Sequence, residues 1–337
     1  MLLVSRGDCV GKKAGVAEDQ KKRQDRERQK KKEPLLKQNQ WLIQGEVRIL
    51  KMIGSGGFGQ IYEAVDKQGV TMAVKAGERN TKNAPRMVLE QFLLQRVSSH
   101  KNFPQFFRSG STDNINFICM ELLGPNLHEL RKLREDKRFS PNTAFQVACQ
   151  VTDALRVLHN GGYIHRDVKP SNMCVSLQEP KTVVLVDFGL SRRYLQPNGD
   201  LRQFREYAGF RGTARYVSPR VHEHQEHTVW DDFWGLCYSM IEMIDGQLPW
   251  RNQSDHKALY QMKMQYIKYI ECRGSTCIRQ LLHYLKNAKA TDRVDYNRFK
   301  KFMKHAIDPE EPLDWESDYL TTEDSTAETS EEESREY

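Results

Sequence analysis

Between residues 47 and 77 the apolar positions fall in short runs rich in β-branched side chains: VRILKMIG, then QIYEAVD, then VTMAVKAG after the turn-prone KQG. Such runs suit the half-buried surface of a sheet, and successive strands are predicted here. From about residue 85 to 97 the spacing changes to that of a helix, with Met87, Phe92, Leu93, Leu94 and Val97 forming an apolar side around Glu90. After FICMELLGP at 117–125 the chain turns mostly helical, and helices are predicted over 143–160, 230–246 and 295–307. The implied layout is α+β, a small β-rich lobe followed by a larger helical one.

Both ends lack such periodicity. Residues 1–40, which include KKRQDRERQKKK at 21–32, read as a basic disordered arm, and residues 308–337 as an acidic disordered tail. The folded part is thereby divided into a small lobe over 41–120 and a hinge with the large lobe over 121–307. There are no internal repeats.

Composition narrows the class. A chain of 337 residues has room for one large catalytic unit. Its seven cysteines form no CxxC pair, which points to a reduced compartment. No run approaches the roughly 18 apolar residues of a membrane helix. A soluble protein of the cytoplasm, with the nucleus left open, is expected. The formal charge of +7 conceals an asymmetry. Residues 1–40 carry 12 Lys/Arg against 6 acids, and 308–337 carry 1 Arg against 13 acids. The middle of the chain is therefore strongly positive and should attract acidic or phosphorylated protein segments; nucleic acid is not an expected partner, although charge alone does not separate the two.

Candidate chemistry sits on this frame in order. GSGGFGQI places Gly54, Gly56 and Gly59 at GxGxxG spacing, with Ser55, Gly57, Phe58 and Ile61 completing the loop. Glycine lets backbone amides approach phosphates, but the motif alone is weak, because glycine-rich hairpins also occur for structural reasons. Its strand-to-strand context argues against a dinucleotide fold, which needs a helix there. Lys75 follows on the apolar strand MAVK, two residues after Ala73. A buried ammonium needs a counter-charge, and Glu90 on the next helix is the natural one. The strongest signal is YIHRDVKPSN at 163–172 followed by LVDFGLS at 185–191. Phosphoryl transfer asks mainly for positioning and charge neutralisation. Asp167 suits the proton acceptor, Lys169 a cation for the moving phosphoryl, and Asn172 and Asp187 the oxygen ligands of a hard Mg²⁺. The full ordered set at these gaps is far more specific than any one triplet.

On these motifs residues 47 to 307 resemble a eukaryotic protein kinase. MELLGPNLHEL at 120–130 is similar to the casein kinase 1 group, and GFRGTARYVS at 209–218, GQLPWR at 246–251 and PLDWE at 312–316 most resemble its tau-tubulin kinase branch. The resemblance implies a bilobal kinase fold, ATP with Mg²⁺ as cofactors, Ser/Thr protein substrates, and action as a monomer. It implies that Met120 is the gatekeeper and that Glu121, Leu122 and Leu123 offer the backbone that reads adenine. It further implies that Thr213 hydrogen-bonds Asp167 and Lys169, that Asp232 holds the catalytic loop, and that His165 packs against Phe188 and Leu94. Arg215 matches an arginine that helps bind the anion of a primed substrate; a structural salt bridge is the competing reading.

Departures matter too. Arg220 stands where most kinases have Glu after Ala-Pro, a change shared by casein kinase 1 relatives. Between Ser191 and Thr213 there is no Ser or Thr, leaving only Tyr194 and Tyr207, so activity without activation-loop phosphorylation is expected. His222, His224 and His227 lack a ligand frame, and Cys119 and Cys174 read as small buried hydrophobes. The alternative, a catalytically silent scaffold, is disfavoured because Lys75, Glu90, Asp167, Asn172 and Asp187 are all present.

Overall fold

The computed structural model describes residues 33–316, apart from 58 and 274. Its first layer is an antiparallel sheet of six strands: β1 Trp41–Leu42, β2 Val47–Gly56, β3 Gly59–Asp66, β4 Thr71–Glu78, β5 Phe106–Ser111 and β6 Ile115–Met120, in the order β1-β2-β3-β4-β6-β5. The TMAVKAGE strand β4 is buried from Met72 to Gly77 because it has a neighbour on each side and helix α1, Ala84–Val97, across one face. A continuous apolar run is what such a central strand requires. Lys75 is thus carried into the interior by its own strand.

The large lobe is built on α2 Leu127–Leu133, α3 Pro141–Asn160, α4 Pro219–His222, α5 Val229–Asp245, α6 His256–Arg273, α7 Thr276–Asn287 and α8 Tyr296–Lys304. Two short ribbons, β7 Tyr163–Ile164 with β10 Arg192–Arg193 and β8 Met173–Val175 with β9 Val183–Leu185, bring the catalytic motifs to its upper surface. Helix α3 starts where the Ser140 hydroxyl accepts the Thr143 N–H, with Pro141 in the first turn; both are favoured at a helix start. Helix α5 is buried from Val229 through Met243 and forms the axis of the lobe. One apolar core runs from α1 through α3 and α5 to Trp315, and a second, smaller one lies within the sheet.

The predicted strands and the helices over 143–160 and 230–246 are found close to their expected limits, and 295–307 is found as the shorter α8. Both tail boundaries move. Of the expected basic arm, residues 33–40 belong to the small lobe: Leu36 is 1% exposed in its core, the Asn39 N–H donates to the Ile49 carbonyl at 2.8 Å, and Gln60 holds the backbone of Glu33 and Leu35. Of the expected acidic tail, residues 308–316 pack on the large lobe, with Leu313 3% and Trp315 1% exposed. A few apolar side chains with satisfied backbone partners outweigh a polar average. The remainder of both predicted tails, 1–32 and 317–337, lies outside the described residues. Among the described residues no helix is long and apolar enough to cross a membrane.

Candidate active site

The site lies where the sheet meets the large lobe, in a cleft of about 560 Å³. The β2–β3 hairpin contributes Gly54, Ser55, Gly56, Gly57, Gly59 and Ile61, and β4 contributes Ala73 and Lys75. Glu90 comes from α1, Met120 to Leu123 from the strand-to-helix connection after β6, and Lys169, Asn172 and Asp187 from below. Phe58 lies outside the described residues. The glycines differ in what they need. At Gly59, with φ +150°, a Cβ would sit 2.5 Å from the Ala76 carbonyl oxygen, so packing of the hairpin demands glycine. At Gly56 and Gly57 a Cβ would meet nothing within 4 Å, so no protein neighbour explains the missing side chains. In the connection, the Glu121 N–H is already donated to the Gln105 carbonyl at 2.9 Å. The expected adenine-reading backbone thereby narrows to the Glu121 carbonyl and Leu122–Leu123.

Lys75 joins the two lobes. Its ammonium lies 2.7 Å from both Glu90 carboxylate oxygens and 3.0 Å from Asp187 Oδ1. Burial works against the charge, but the two carboxylates win and the lysine pKa is raised; Asp187 is lowered despite its own burial, chiefly by Lys75. Asp187 has φ +69° and Arg166 φ +70°, backbone conformations that non-glycine residues adopt at a cost of order 1–3 kcal/mol each. The surroundings compensate: Phe188 is 1% exposed and packs at 5.4 Å from the His165 ring, while His165 Nε2 lies 3.1 Å from the Val186 carbonyl. His165 and Leu94 are both core residues.

Below the cleft the expected catalytic group is assembled. Asp167 Oδ1 accepts the Thr213 hydroxyl at 2.7 Å and the Thr213 N–H at 2.9 Å. Its Oδ2 accepts Lys169 Nζ at 2.6 Å, and Lys169 also reaches the Thr213 hydroxyl at 2.8 Å. The Asn172 amide nitrogen is spent on the Asp167 carbonyl at 2.9 Å, leaving the amide oxygen as its acceptor. Underneath, the buried Asp232 carboxylate accepts the N–H groups of His165 and Arg166, each at 2.7 Å, and the ring of His159 at 2.9 Å. The two motifs separated by 65 residues in the chain, Asp167 and Asp232, are thus one scaffold.

Several contributors escaped sequence reasoning. Lys263 of α6 is fully buried, donating to the carbonyls of Ala214 at 2.8 Å and Val217 at 2.5 Å and to His222 Nε2 at 3.2 Å, over the faces of Tyr238 and Trp250. Burial pushes this lysine well below its ordinary value. Trp250 Nε1 donates to the Arg215 carbonyl at 2.9 Å, and the Tyr216 hydroxyl to Glu242, itself 3.3 Å from Arg131. These bonds fix residues 213–218 although the usual acidic anchor is replaced by Arg220. The available signal was a lysine at a core-facing position of a helix that also carries Leu259, Ile267 and Ile270.

Arg215 is partly exposed beside Thr213; its guanidinium reaches the Arg251 carbonyl at 3.3 Å, and the alternative salt bridge is not seen among the described residues. The three histidines diverge. His222 lies against Lys263, burial and that cation lowering it to about 3; His224 stacks on Tyr207 at 4.6 Å; His227 is buried. Cys119 is buried and Cys174 partly so at the cleft wall, and burial raises their thiols to about 11 and about 12. Tyr194 donates its hydroxyl to the His159 carbonyl at 3.0 Å, whereas Tyr207 is 66% exposed.

Comparison of the sequence with known proteins identifies its family. The protein kinase domain family matches residues 47–311. A Caenorhabditis elegans protein provisionally named a casein kinase I is 35% identical over 304 residues, 84% of this chain and 85% of that relative. A Dictyostelium discoideum protein provisionally named a serine/threonine-protein kinase is 34% identical over 82% of this chain, which spans 57% of that longer relative. The Caenorhabditis elegans serine/threonine-protein kinase spe-6 is 29% identical over 80% of this chain and 75% of its own length.

Proposed function

Since the chain belongs to the protein kinase family, as an ATP-dependent serine/threonine kinase similar to casein kinase 1, we propose that it phosphorylates protein hydroxyls with Asp167 as catalytic base, needs no activation-loop phosphate, and favours acidic or primed substrates. The observation that carries the reading is the unbroken set of contacts from Glu90 through Lys75 to Asp187, beside Asp167 held by Thr213 and Lys169. The residues fit nucleotide and metal. Gly56 and Gly57 leave backbone room that no side chain fills, and Asp187 and Asn172 offer oxygen donors of the kind Mg²⁺ takes. ATP would lie between the glycine hairpin and residues 121–123, with Lys75 on its phosphates and Asp187 and Asn172 on the metal. Bound MgATP supplies the γ-phosphoryl group and a cation that offsets its negative charge.

The protein's own share is positioning and proton handling. The Asp167 carboxylate, oriented by Thr213 and Lys169, accepts the proton of an incoming Ser or Thr hydroxyl. Lys169, already 2.6 Å from Asp167, keeps a positive charge beside the reacting oxygens. Asp232 keeps the loop in its left-handed turn at Arg166. Preference for acidic or phosphorylated partners is supported by the positive middle of the chain and by the partly exposed Arg215 next to Thr213.

The test is to incubate the full chain, its Asp187→Asn, Asp167→Asn and Arg215→Ala variants with labelled ATP and Mg²⁺ on plain and pre-phosphorylated peptides. The two aspartate variants should lose at least about 100-fold in kcat/KM. Arg215→Ala should lose its preference for the primed peptide while retaining the plain one. Equal labelling by wild type and Asp187→Asn would overturn the catalytic assignment, and indifference of the wild type to priming would remove Arg215 from it.

A further inference from the structure

The activation segment carries five arginines, Arg192, Arg193, Arg202, Arg205 and Arg211, and no Ser or Thr between Ser191 and Thr213. Two of them, Arg192 and Arg205, converge on one carboxylate from elsewhere in the lobe. Glu226, in the turn between α4 and α5, is 6% exposed. Arg205 grips it with both arms of its guanidinium, Nε to Oε2 at 2.5 Å and Nη2 to Oε1 at 2.9 Å. Arg192 Nε approaches Oε1 at 3.3 Å from the other side. Among the described residues these two arginines form ion pairs with Glu226 alone.

The position matters as much as the charge. Arg192 opens β10, five residues after Asp187, and pairs with Ile164, two residues before Arg166. Arg166 in turn donates Nε to the Leu190 carbonyl at 2.6 Å. Arg205 belongs to the far limb of the segment, which is joined to the same turn where the Ala208 N–H donates to the His224 carbonyl at 2.8 Å. One carboxylate therefore ties together the exit from Asp187, the far limb that leads to Thr213, and the base of α5. Burial opposes ionisation of Glu226, but hydrogen bonds and charge from Arg205 and Arg192 outweigh it, and the group is held below its ordinary value. It is ionised at any physiological pH.

We propose that Glu226 is a positioning residue for phosphoryl transfer, a permanent internal anion that orders the activation segment as an added phosphate does in kinases that are switched on. A phosphate in that role orders a loop by pairing with arginines on both sides of it. Here the pairing is present in the unmodified chain and bidentate, with the carboxylate buried and the arginines partly exposed, the geometry of a strong arginine–carboxylate contact. The inference rests on the reading that the enzyme needs no loop phosphate, and it names the residue that makes phosphate unnecessary.

The experiment uses the full chain, treated with phosphatase and checked for phosphate by mass spectrometry. Glu226→Ala and Glu226→Gln should each lose about tenfold or more in kcat, with KM for ATP within about twofold of wild type, because Lys75 and Glu90 are not part of the cluster. Added acetate should restore at least about threefold of the Glu226→Ala loss. Arg205 and Arg192 have 45% and 31% of their side chains exposed, so a small anion can reach the vacated place. Chloride at equal ionic strength should not restore it, and acetate should not rescue Glu226→Gln, whose side chain still fills the space. A merely structural glutamate would give no such rescue. Should Glu226→Ala fail to fold, Arg205→Met decides, with loss of kcat expected and wild-type kcat overturning the proposal. Wild-type kcat in Glu226→Ala, or a loss that acetate leaves untouched, overturns it as well. Loss of wild-type activity on phosphatase treatment is a different result: it overturns the premise.

Discussion

Asp232 shows how much a single residue decides. Its two oxygens accept three donors, the backbone of His165 and Arg166 and the His159 ring, in full burial. An asparagine would keep one oxygen and turn an NH₂ group toward an N–H. Asp232→Asn should therefore cost about 3 kcal/mol, in the range for breaking one member of a buried charged network, and should lower kcat because Arg166 loses the contact that holds its left-handed turn. Denaturant unfolding checks the first and steady-state kinetics the second; unchanged values of both would contradict the role. The charge also sets a pH dependence. Burial raises the Asp232 carboxyl, but hydrogen bonds and charge from His159 and His165 bring it below its ordinary value. Its contribution to stability is then present above about pH 4, the unfolded value, and lost as pH falls through the lower native one. At this scale the sequence was highly informative. Asp167, Lys169, Asn172 and Asp187, which the structure brings together at the cleft, could be singled out because the proposed phosphoryl transfer needs fixed residue types at fixed short gaps. Glu226 could not, because an acid in HEHQEH acquires its meaning only from arginines 21 and 34 residues earlier.

Among the elements, strands β2 to β4 and helices α3 and α5 were legible because each has an apolar pattern that burial on one or both faces enforces. Helix α6 was not read. Its buried positions include a lysine, and a scan for apolar periodicity discounts the very residue that gives the helix its role. Lys263 holds the Ala214 and Val217 carbonyls, while Trp250 just before the helix holds that of Arg215, so this element anchors the loop that carries Thr213. Magnitudes separate two effects of Lys263→Met. Removing a buried cation saves desolvation energy, which offsets the roughly 1–3 kcal/mol of each carbonyl left unpaired. Net stability should change by less than about 1 kcal/mol. The freed loop should nevertheless raise KM for peptide about fivefold or more while KM for ATP stays constant, since no part of α6 lines the nucleotide cleft. Steady-state kinetics with each substrate varied in turn separates the outcomes; a rise confined to ATP would refute the assignment.

At the level of the whole molecule the two lobes depend on segments that composition alone would place outside them. Residues 308–316 are acidic, yet they run along the start of α3 as a strap. The Asp308 N–H donates to Asn142 at 2.9 Å, the Asp314 N–H to the Thr143 hydroxyl at 3.0 Å, and Asp314 Oδ2 accepts the Ser140 N–H at 2.5 Å. Arg134, just past α2, donates to the Asp314 carbonyl at 2.7 Å, so the strap also joins α2 to α3. Trp315 closes it, edge-on to Phe139 at 5.4 Å with its indole N–H on the Pro180 carbonyl at 2.9 Å. The signal was one tryptophan and one leucine in nine residues, too few for any periodicity. Burial of this kind is worth about 3–5 kcal/mol when a tryptophan is cut to alanine. Trp315→Ala should thus lower the melting temperature by about 6–20 °C, taking 2–4 °C per kcal/mol for a domain of this order of size. Since the partners of Trp315 are Phe139, just before α3, and Pro180 in the β8–β9 turn, away from the residues around Asp167, kcat at 20 °C should stay near wild type. Thermal unfolding and a low-temperature assay on the same preparation read the two effects apart. A solvated tail would leave both unchanged, whereas a collapse of kcat with little change in melting temperature would mean that the strap acts on the active site through α3, whose far end carries His159 to Asp232.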